Sequence, residues 1–375
     1  MSTALVDVDS VRDGVDRRLA AHLAELRAEL APLDPACAQL VDALSGALTG
    51  GKRLRAAFCY WAWQAHGGAR TRTDEPTAAA PAARDQVLRV GAALELFQAA
   101  ALVHDDVMDA SDTRRGRPAA HRAFEAMHRA HHWTGRADRF GESAAILLGD
   151  LALIAAEREF AQALEPIGGT VRRRTREAFD LMRTEVTAGQ YLDVLAQSVP
   201  WGHDPAADEE RTRAVIRAKS ARYSVEHPLT LGAALAGADD DALAACREVG
   251  LPLGEAFQLR DDLLGVFGEP RTTGKPAGDD LREGKRTVLV IRALQHAAPQ
   301  DAALLRAGLG RADLDDPGVA ALQAALTRSG APLEVERLIA DLAGPALARL
   351  EASDLLEPGR TMLTRLGSAA VDRRA

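Results

Sequence analysis

Aromatic residues are scarce: Phe, Trp and Tyr together make up 4% of the 375 residues. Strands draw on aromatic and β-branched side chains, so this scarcity, beside abundant Ala and Leu, disfavours β-rich architecture and favours helix. Cysteine is scarce too. Cys37, Cys59 and Cys246 lie far apart with no CxxC pair, which gives no disulfide framework and fits a reducing cytoplasm. Positive charge is in deficit, with 46 Lys and Arg against 54 Asp and Glu and a net charge of −8, so a nucleic-acid partner has no electrostatic support. The first twenty residues carry acids early and no long apolar core, unlike a signal peptide. No uninterrupted apolar run has the length needed to cross a bilayer.

What remains is helical periodicity. "VRDGVDRRLAAHLAELRAEL" repeats apolar residues at three- and four-residue spacing and so presents one buried stripe. "DQVLRVGAALELFQAAALVHDD" and "ESAAILLGDLALIAAEREFAQAL" are apolar nearly all round, as helices buried within a bundle are. Further helices fit 172–197, 208–236 and 240–267, and shorter ones separated by Gly and Pro follow from about 285. The segment 66–85, rich in Gly, Pro and polar residues, reads as a mobile loop. With no fixed-period repeat and no linker, residues 1–375 read as one all-α domain.

Four stretches carry chemistry. "LVHDDVMDASDTRRGRP" (102–118) ends an apolar helix with Asp105, Asp106 and Asp109, then adds Arg114 and Arg115. Positions i and i+4 share a helix face, so Asp105 and Asp109 point the same way. Carboxylates are hard ligands suited to Mg²⁺, which prefers one or two of them together with substrate phosphates. A solvated acidic helix end is the bland reading, and the apolar flank "ALELFQAAALV" argues against it. "FQLRDDLLGVFGEPRTTGKPAGDDLREGKRT" (257–287) repeats the arrangement, with Asp261 and Asp262 followed by Lys275 and Lys285. "GGKRLR" (50–55) sets Lys52, Arg53 and Arg55 at a helix start, a ready anion site. "KSARYSVEHPLTLGAALAG" opens with Lys219 beside Ser220, where a snorkelling surface lysine is the plain alternative.

In this order, and with "GQYLDV" between them, these stretches resemble the successive motifs of the trans-isoprenyl diphosphate synthases, the polyprenyl synthetase family, over nearly the whole chain. The likeness is strongest to bacterial geranylgeranyl and farnesyl diphosphate synthases. The resemblance implies a single large bundle of antiparallel helices around a deep central cavity, with the two Asp-rich motifs facing each other at its mouth, and a homodimer. It implies Asp105, Asp106, Asp109 and Asp261 as Mg²⁺ ligands, with Asp262 supporting through water and three ions per site. Lys219, Gln258, Lys275 and Arg114 match the contacts to the allylic diphosphate (dimethylallyl, geranyl or farnesyl), with Ser220 and Lys285 beside them. Lys52, Arg55 and Arg115 match the pocket for isopentenyl diphosphate, and Gln98 stands where many members have His. Of these, Lys219, Lys275 and Arg114 take the catalytic role, stabilising the departing diphosphate.

The sequence departs from the family at two of these positions. Ser220 replaces the usual Thr, and Gly265 replaces the third aspartate of the second motif. The basic, aromatic 128–142 segment is longer than expected, and its His128, His131 and His132 read as solvent-exposed loop residues. Product length is implied by residues upstream of the first motif. Ala100, five positions before Asp105, and Ala101 are small and leave the floor open, while Phe97 one turn deeper closes it at twenty carbons. Otherwise Phe97 merely packs against a neighbouring helix. Two rival classes share part of this pattern. A terpene cyclase has no use for a second diphosphate pocket, and a silent partner subunit would have lost Asp-motif residues that this chain keeps.

Overall fold

A computed structural model describes residues 10–68, 80–201, 204–268, 278–311 and 313–372. In chain order its helices are α1 (Val11–Leu30), α2 (Ala38–Leu48), α3 (Leu54–Ala65), α4 (Ala80–Met108), α5 (Ala120–Ala130), α6 (Ala137–Leu164), α7 (Gly169–Ser198) and α8 (Pro205–Val215). A π-helical stretch, Ile216–Glu226, joins α8 to α9 (His227–Leu235). Then come α10 (Asp240–Phe267), the one-turn α11 (Asp279–Arg282), α12 (Val288–His296), α13 (Pro299–Gly308), α14 (Asp316–Arg328), α15 (Ala331–Glu351) and α16 (Gly359–Val371). Among the described residues the only strands are β1 (Thr113–Arg114) and β2 (Arg117–Pro118), an antiparallel pair with Arg114 opposite Arg117. The fold is all-α, as the scarcity of aromatics foretold.

The central helix is α4, packed along α6, α3 and α1. Val90, Ala92, Ala93, Leu94 and Leu96 are fully buried, as its all-round apolar pattern requires. Each large side chain buried this way contributes about 2 kcal/mol. The span Ala82–Met108 is long and apolar enough by length and composition to cross a membrane, though Arg89 and Glu95 interrupt its apolar run, and most of it is enclosed by the other helices. The expectation for α6 needs correction. Its equally apolar sequence leaves Ile146, Leu147 and Ile154 exposed, so one face has no cover among the described residues.

Three further differences have local causes. Helix resumes at Ala80, inside the expected 66–85 loop; residues 69–79 lie outside the described residues. The single helix expected over 208–236 contains the π-helical stretch, at whose end the His227 N–H reaches back five residues to the Arg222 carbonyl. Pro228 follows at once; it has no N–H for the Ser224 carbonyl four residues back and its ring crowds that oxygen, and wider turns relieve both. In the 128–142 segment, His128 sits at the end of α5 and is 5% exposed, not a solvated loop residue. It packs against Trp133 and Phe140, while His131 and His132 are exposed as expected.

Candidate active site

The C-terminal end of α4 forms one wall of a cavity of about 1320 Å³. Gln98, Ala101, Leu102 and Asp105 recur at three- and four-residue spacing and line it together. Asp105 accepts from Lys219 Nζ at 2.8 Å and from Gln190 Nε2 at 3.1 Å. Asp106 turns inward, 2% exposed, and accepts from Arg114 Nε at 2.8 Å. Arg114 is brought there by the β1–β2 hairpin, whose central residues Arg115 and Gly116 have φ of 53° and 72°. Positive φ at both positions is the turn that matches strand twist. It sends Arg115 the other way, to donate to the Thr49 carbonyl at 3.0 Å.

The facing wall comes from α7 and the π-helical stretch. Their backbones touch at Gly189, where an added Cβ would lie 2.5 Å from the Lys219 nitrogen, so only glycine allows the approach. That contact brings Lys219 Nζ within 2.6 Å of Asp193, completing an Asp105–Lys219–Asp193 bridge across the cavity. Wider turns at Lys219 put it inside a continuous helix rather than at a helix start, and 21% of its side chain is exposed. It is no snorkelling surface lysine. Ser220 also lines the cavity.

The third wall is the end of α10. Asp261, Asp262 and Gln258 line the cavity, and Gln258 donates to Asp262 at 2.9 Å. Lys285 follows α11 and reaches Glu283 at 2.6 Å and Asp280 at 3.4 Å. Next to it, Arg286 donates to the carbonyls of Ala196, Gln197 and Val199 at 2.7 Å. These are orphan acceptors at the end of α7, and the contact ties the Lys285 loop to the opposite wall. Lys275 lies outside the described residues.

The "GGKRLR" stretch divides its cations. Lys52 and Arg55 line the cavity. Arg55 stacks 4.1 Å over the Tyr223 ring and donates to Ser224 at 2.8 Å. Arg53, which also borders the cavity, is 7% exposed and spends its donors on Asp16, Glu95 and the Leu48 carbonyl. Its role is to hold α1, α4 and the end of α2 together.

Electrostatics set the carboxylates apart. Burial pushes Asp105 up, but Lys219, Lys285 and Arg114 outweigh it and bring its pKa to about 2. Burial and the Asp105 charge raise Asp109 to about 6. Burial and Asp280 raise Asp262 to about 7. Lys285 is held well above the usual lysine range, its burial outweighed by Asp280 and Glu283.

A family model described as polyprenyl synthetase matches residues 37–326. The chain belongs to the polyprenyl synthetase family. It is 34% identical to the geranylgeranyl diphosphate synthase of Mycobacterium tuberculosis over 71% of this chain and 66% of that one. It is 32% identical to the geranylfarnesyl diphosphate synthase of Aeropyrum pernix over 69% of this chain and 73% of that one. A crystal structure of geranylgeranyl pyrophosphate synthase from Corynebacterium glutamicum, complexed with isoprenyl diphosphate and magnesium, is 38% identical, covers 99% of each chain and superposes with a TM-score of 0.89. The all-α chain has the isoprenoid synthase fold.

As a polyprenyl synthetase, the chain brings Asp105, Asp106, Asp261 and Asp262 to one cavity together with Lys52, Arg55, Gln98, Arg114, Arg115, Lys219, Ser220, Gln258 and Lys285, while Asp109, one residue past the end of α4, lies outside its lining. The expected floor is where the geometry differs. Phe97 and Ala100 are buried but lie outside the cavity lining; Ala101 is in it. Phe97 packs edge-on against Tyr223 at 5.5 Å, and it is Tyr223 that reaches the cavity. A residue five positions before Asp105 faces away because α4 presents its 98–101–105 stripe. Sequence reasoning passed over Gln190, Asp193, Tyr223 and Asp280. All four stand inside motifs quoted for the resemblance, and nothing in the sequence separated them from their neighbours.

The described residues contain no cluster of three His, Cys, Asp or Glu side chains close enough to hold an ion on its own. Their state fits a cation shared with a polyanion. Asp109 Oδ2 is buried and meets no hydrogen-bond donor among the described residues, and Asp109 and Asp262 are both pushed up by burial and then by neighbouring negative charge. A hard divalent ion relieves all three conditions, and oxygen-only donors suit Mg²⁺.

Proposed function

We propose that this single-domain chain joins isopentenyl diphosphate head-to-tail to an allylic diphosphate (dimethylallyl, geranyl or farnesyl), releasing pyrophosphate and making geranylgeranyl diphosphate. The observation that carries this reading is the Asp105–Lys219–Asp193 bridge, with Asp261 and Lys285 bordering the same cavity. A cyclase has no need of the separate Lys52, Arg55 and Arg115 corner, and a silent subunit has no need of both Asp motifs.

In this reading Asp105, Asp106, Asp109 and Asp261 would hold three Mg²⁺ ions with help from Asp262, and these would supply positive charge facing the departing diphosphate. Lys219, Lys275 and Arg114 bind that diphosphate with Gln258, Ser220 and Lys285, and they stabilise it more as its C–O bond breaks. Lys52, Arg55, Arg115 and Gln98 hold isopentenyl diphosphate with its double bond toward the allylic carbon. Ala101, Leu102 and Phe257 line the cavity with apolar surface, which keeps the carbocation from water. The released pyrophosphate takes the proton, since no side chain stands out as base.

Ala101 replaces Phe97 as the residue on which product length turns. Ala101→Phe should shorten the dominant alcohol, read by chromatography after dephosphorylation, from twenty to fifteen carbons. Phe97→Ala should leave the product unchanged and lower stability by about 3 to 5 kcal/mol, the usual loss for a buried Phe. The opposite pattern would restore Phe97 as the floor.

The chain acts as a homodimer, and the uncovered face of α6 supports this. Ile146, Leu147 and Ile154 on α6 and Leu181, Tyr191, Leu192 and Leu195 on α7 are exposed. The two helices are joined by stacked Phe160 and Phe179, and apolar exposure on this scale marks a protein interface. Ile154→Asp should convert a dimer to a monomer by light scattering at micromolar concentration. A location in the cytoplasm suits three cysteines that are all free thiols.

A further inference from the structure

One stripe of α7 faces the π-helical stretch. Glu185, Gly189 and Asp193 follow at four-residue spacing and so share a helix face. Gly189 and Asp193 meet the stretch at Lys219, and Glu185 meets it further along. Its carboxylate accepts from Arg222 at 2.8 Å and reaches His227 Nε2 at 2.6 Å. These are the two residues whose backbones the wide turn joins, the His227 N–H donating to the Arg222 carbonyl. We infer that Glu185 is a positioning residue for prenyl transfer: it holds the stretch in its wide winding and so places Lys219 at the diphosphate. This rests on the prenyltransferase reading above. Glu185 itself stands outside the cavity lining, so its effect passes through Lys219.

Geometry makes the contact selective. In an α-helix, residues five apart point about 140° away from each other, turned apart from any one carboxylate. Hydrogen bonds that reach back five residues widen the turn and bring such residues nearly into line. Pairing both Arg222 and His227 with Glu185 therefore favours the wide winding over the α-helical one. The neighbouring backbones do not supply this control. An added Cβ at Gly254 of α10 would lie 2.1 Å from the Ala221 carbonyl oxygen, and one at Gly250 2.5 Å from Glu226 Cα. Glycine contacts of this kind, with Gly189 on the other side, fix how near the helices lie but do little to stop the stretch rewinding. The grip itself is enclosed: His227 is 2% exposed, and the further contact of Arg222, to Glu226, is longer at 3.8 Å. Burial pushes the Glu185 pKa up, but His227 and Arg222 outweigh it and hold it below its ordinary value.

The test is a double-substitution cycle on the full chain, read as affinity for inorganic pyrophosphate with Mg²⁺ by calorimetry. Glu185→Gln keeps the shape and removes the charge. It should weaken pyrophosphate binding about tenfold or more and lower kcat to a similar degree, the scale on which a misplaced group is felt. In a chain that already carries Lys219→Gln, the same change should leave the affinity as it finds it, because the group it places is gone. Leu363→Ala, in the buried core of α16, is the control that lowers the melting temperature with little effect on affinity. Unchanged binding in Glu185→Gln would overturn the inference, and so would a loss no larger than that of Leu363→Ala at the same melting temperature. Equal losses with and without Lys219 would also overturn it, since Glu185 would then act on the fold at large. If Lys219→Gln binds pyrophosphate as the parent does, the assignment of Lys219 in the prenyltransferase reading fails, and this inference with it.

Discussion

Asp105→Asn should lower kcat/KM by roughly a hundred- to a thousandfold, the range seen when one preorganised charge-stabilising group is lost from an active site. The substitution keeps the shape of the side chain and removes only its charge. That charge is permanent at neutral pH, because Lys219, Lys285 and Arg114 outweigh burial and bring the Asp105 pKa to about 2. Losing it removes a proposed ligand for Mg²⁺ and also loosens Lys219, which then rests on Asp193. The folded state should persist, since Gln190 and Arg114 still border the site. Steady-state kinetics beside a thermal melt decides the matter. A loss of rate with a matching loss of folded protein would contradict the assignment.

Arg53→Met should lower stability by about 3 to 5 kcal/mol, as when one partner of a buried ion pair is removed. Arg53 is 7% exposed and Glu95 is 3% exposed. They meet at 3.1 Å, with Asp16 on the other side of the guanidinium at 2.7 Å. Removing the guanidinium leaves the buried Glu95 carboxyl without its ion-pair partner. The backbone also depends on it: Arg53 has a φ of 54°, a left-handed conformation that costs about 1 to 2 kcal/mol in a residue with a Cβ. Three hydrogen bonds hold it there. Urea denaturation gives the loss directly, and Glu95→Gln in the same chain should return part of it. An unchanged midpoint would mean the trio contributes nothing to the fold.

These two results bear on what was legible in the sequence. The first Asp motif was read from local spacing, because i and i+4 geometry is fixed by the helix itself. The helices at 169–198 and 240–267 followed from periodicity for the same reason. Arg53 was grouped with Lys52 and Arg55, since a run of cations does not say which one turns inward. That depends on Glu95 and Asp16, 42 and 37 positions away. Lys219 was read at a helix start, and its place in a π-helical stretch depends on Pro228 nine residues later. Phe97 and Ala100 were chosen by counting back from Asp105. Counting gives depth along α4 but not which stripe faces the cavity, which is set by packing against α6 and the π-helical stretch. The exposed face of α6 was read as buried because composition alone does not separate a core from an interface. Glu185 was invisible as a partner of Arg222 and His227, since only the packing of α7 along the π-helical stretch joins them.

The most direct test of the central claim is pyrophosphate release by the purified chain with Mg²⁺ and farnesyl diphosphate, with and without isopentenyl diphosphate. The account predicts release only when both are present, with twenty-carbon geranylgeraniol recovered after dephosphorylation and no release in excess EDTA. Release from farnesyl diphosphate alone, with a cyclic hydrocarbon as product, would contradict it.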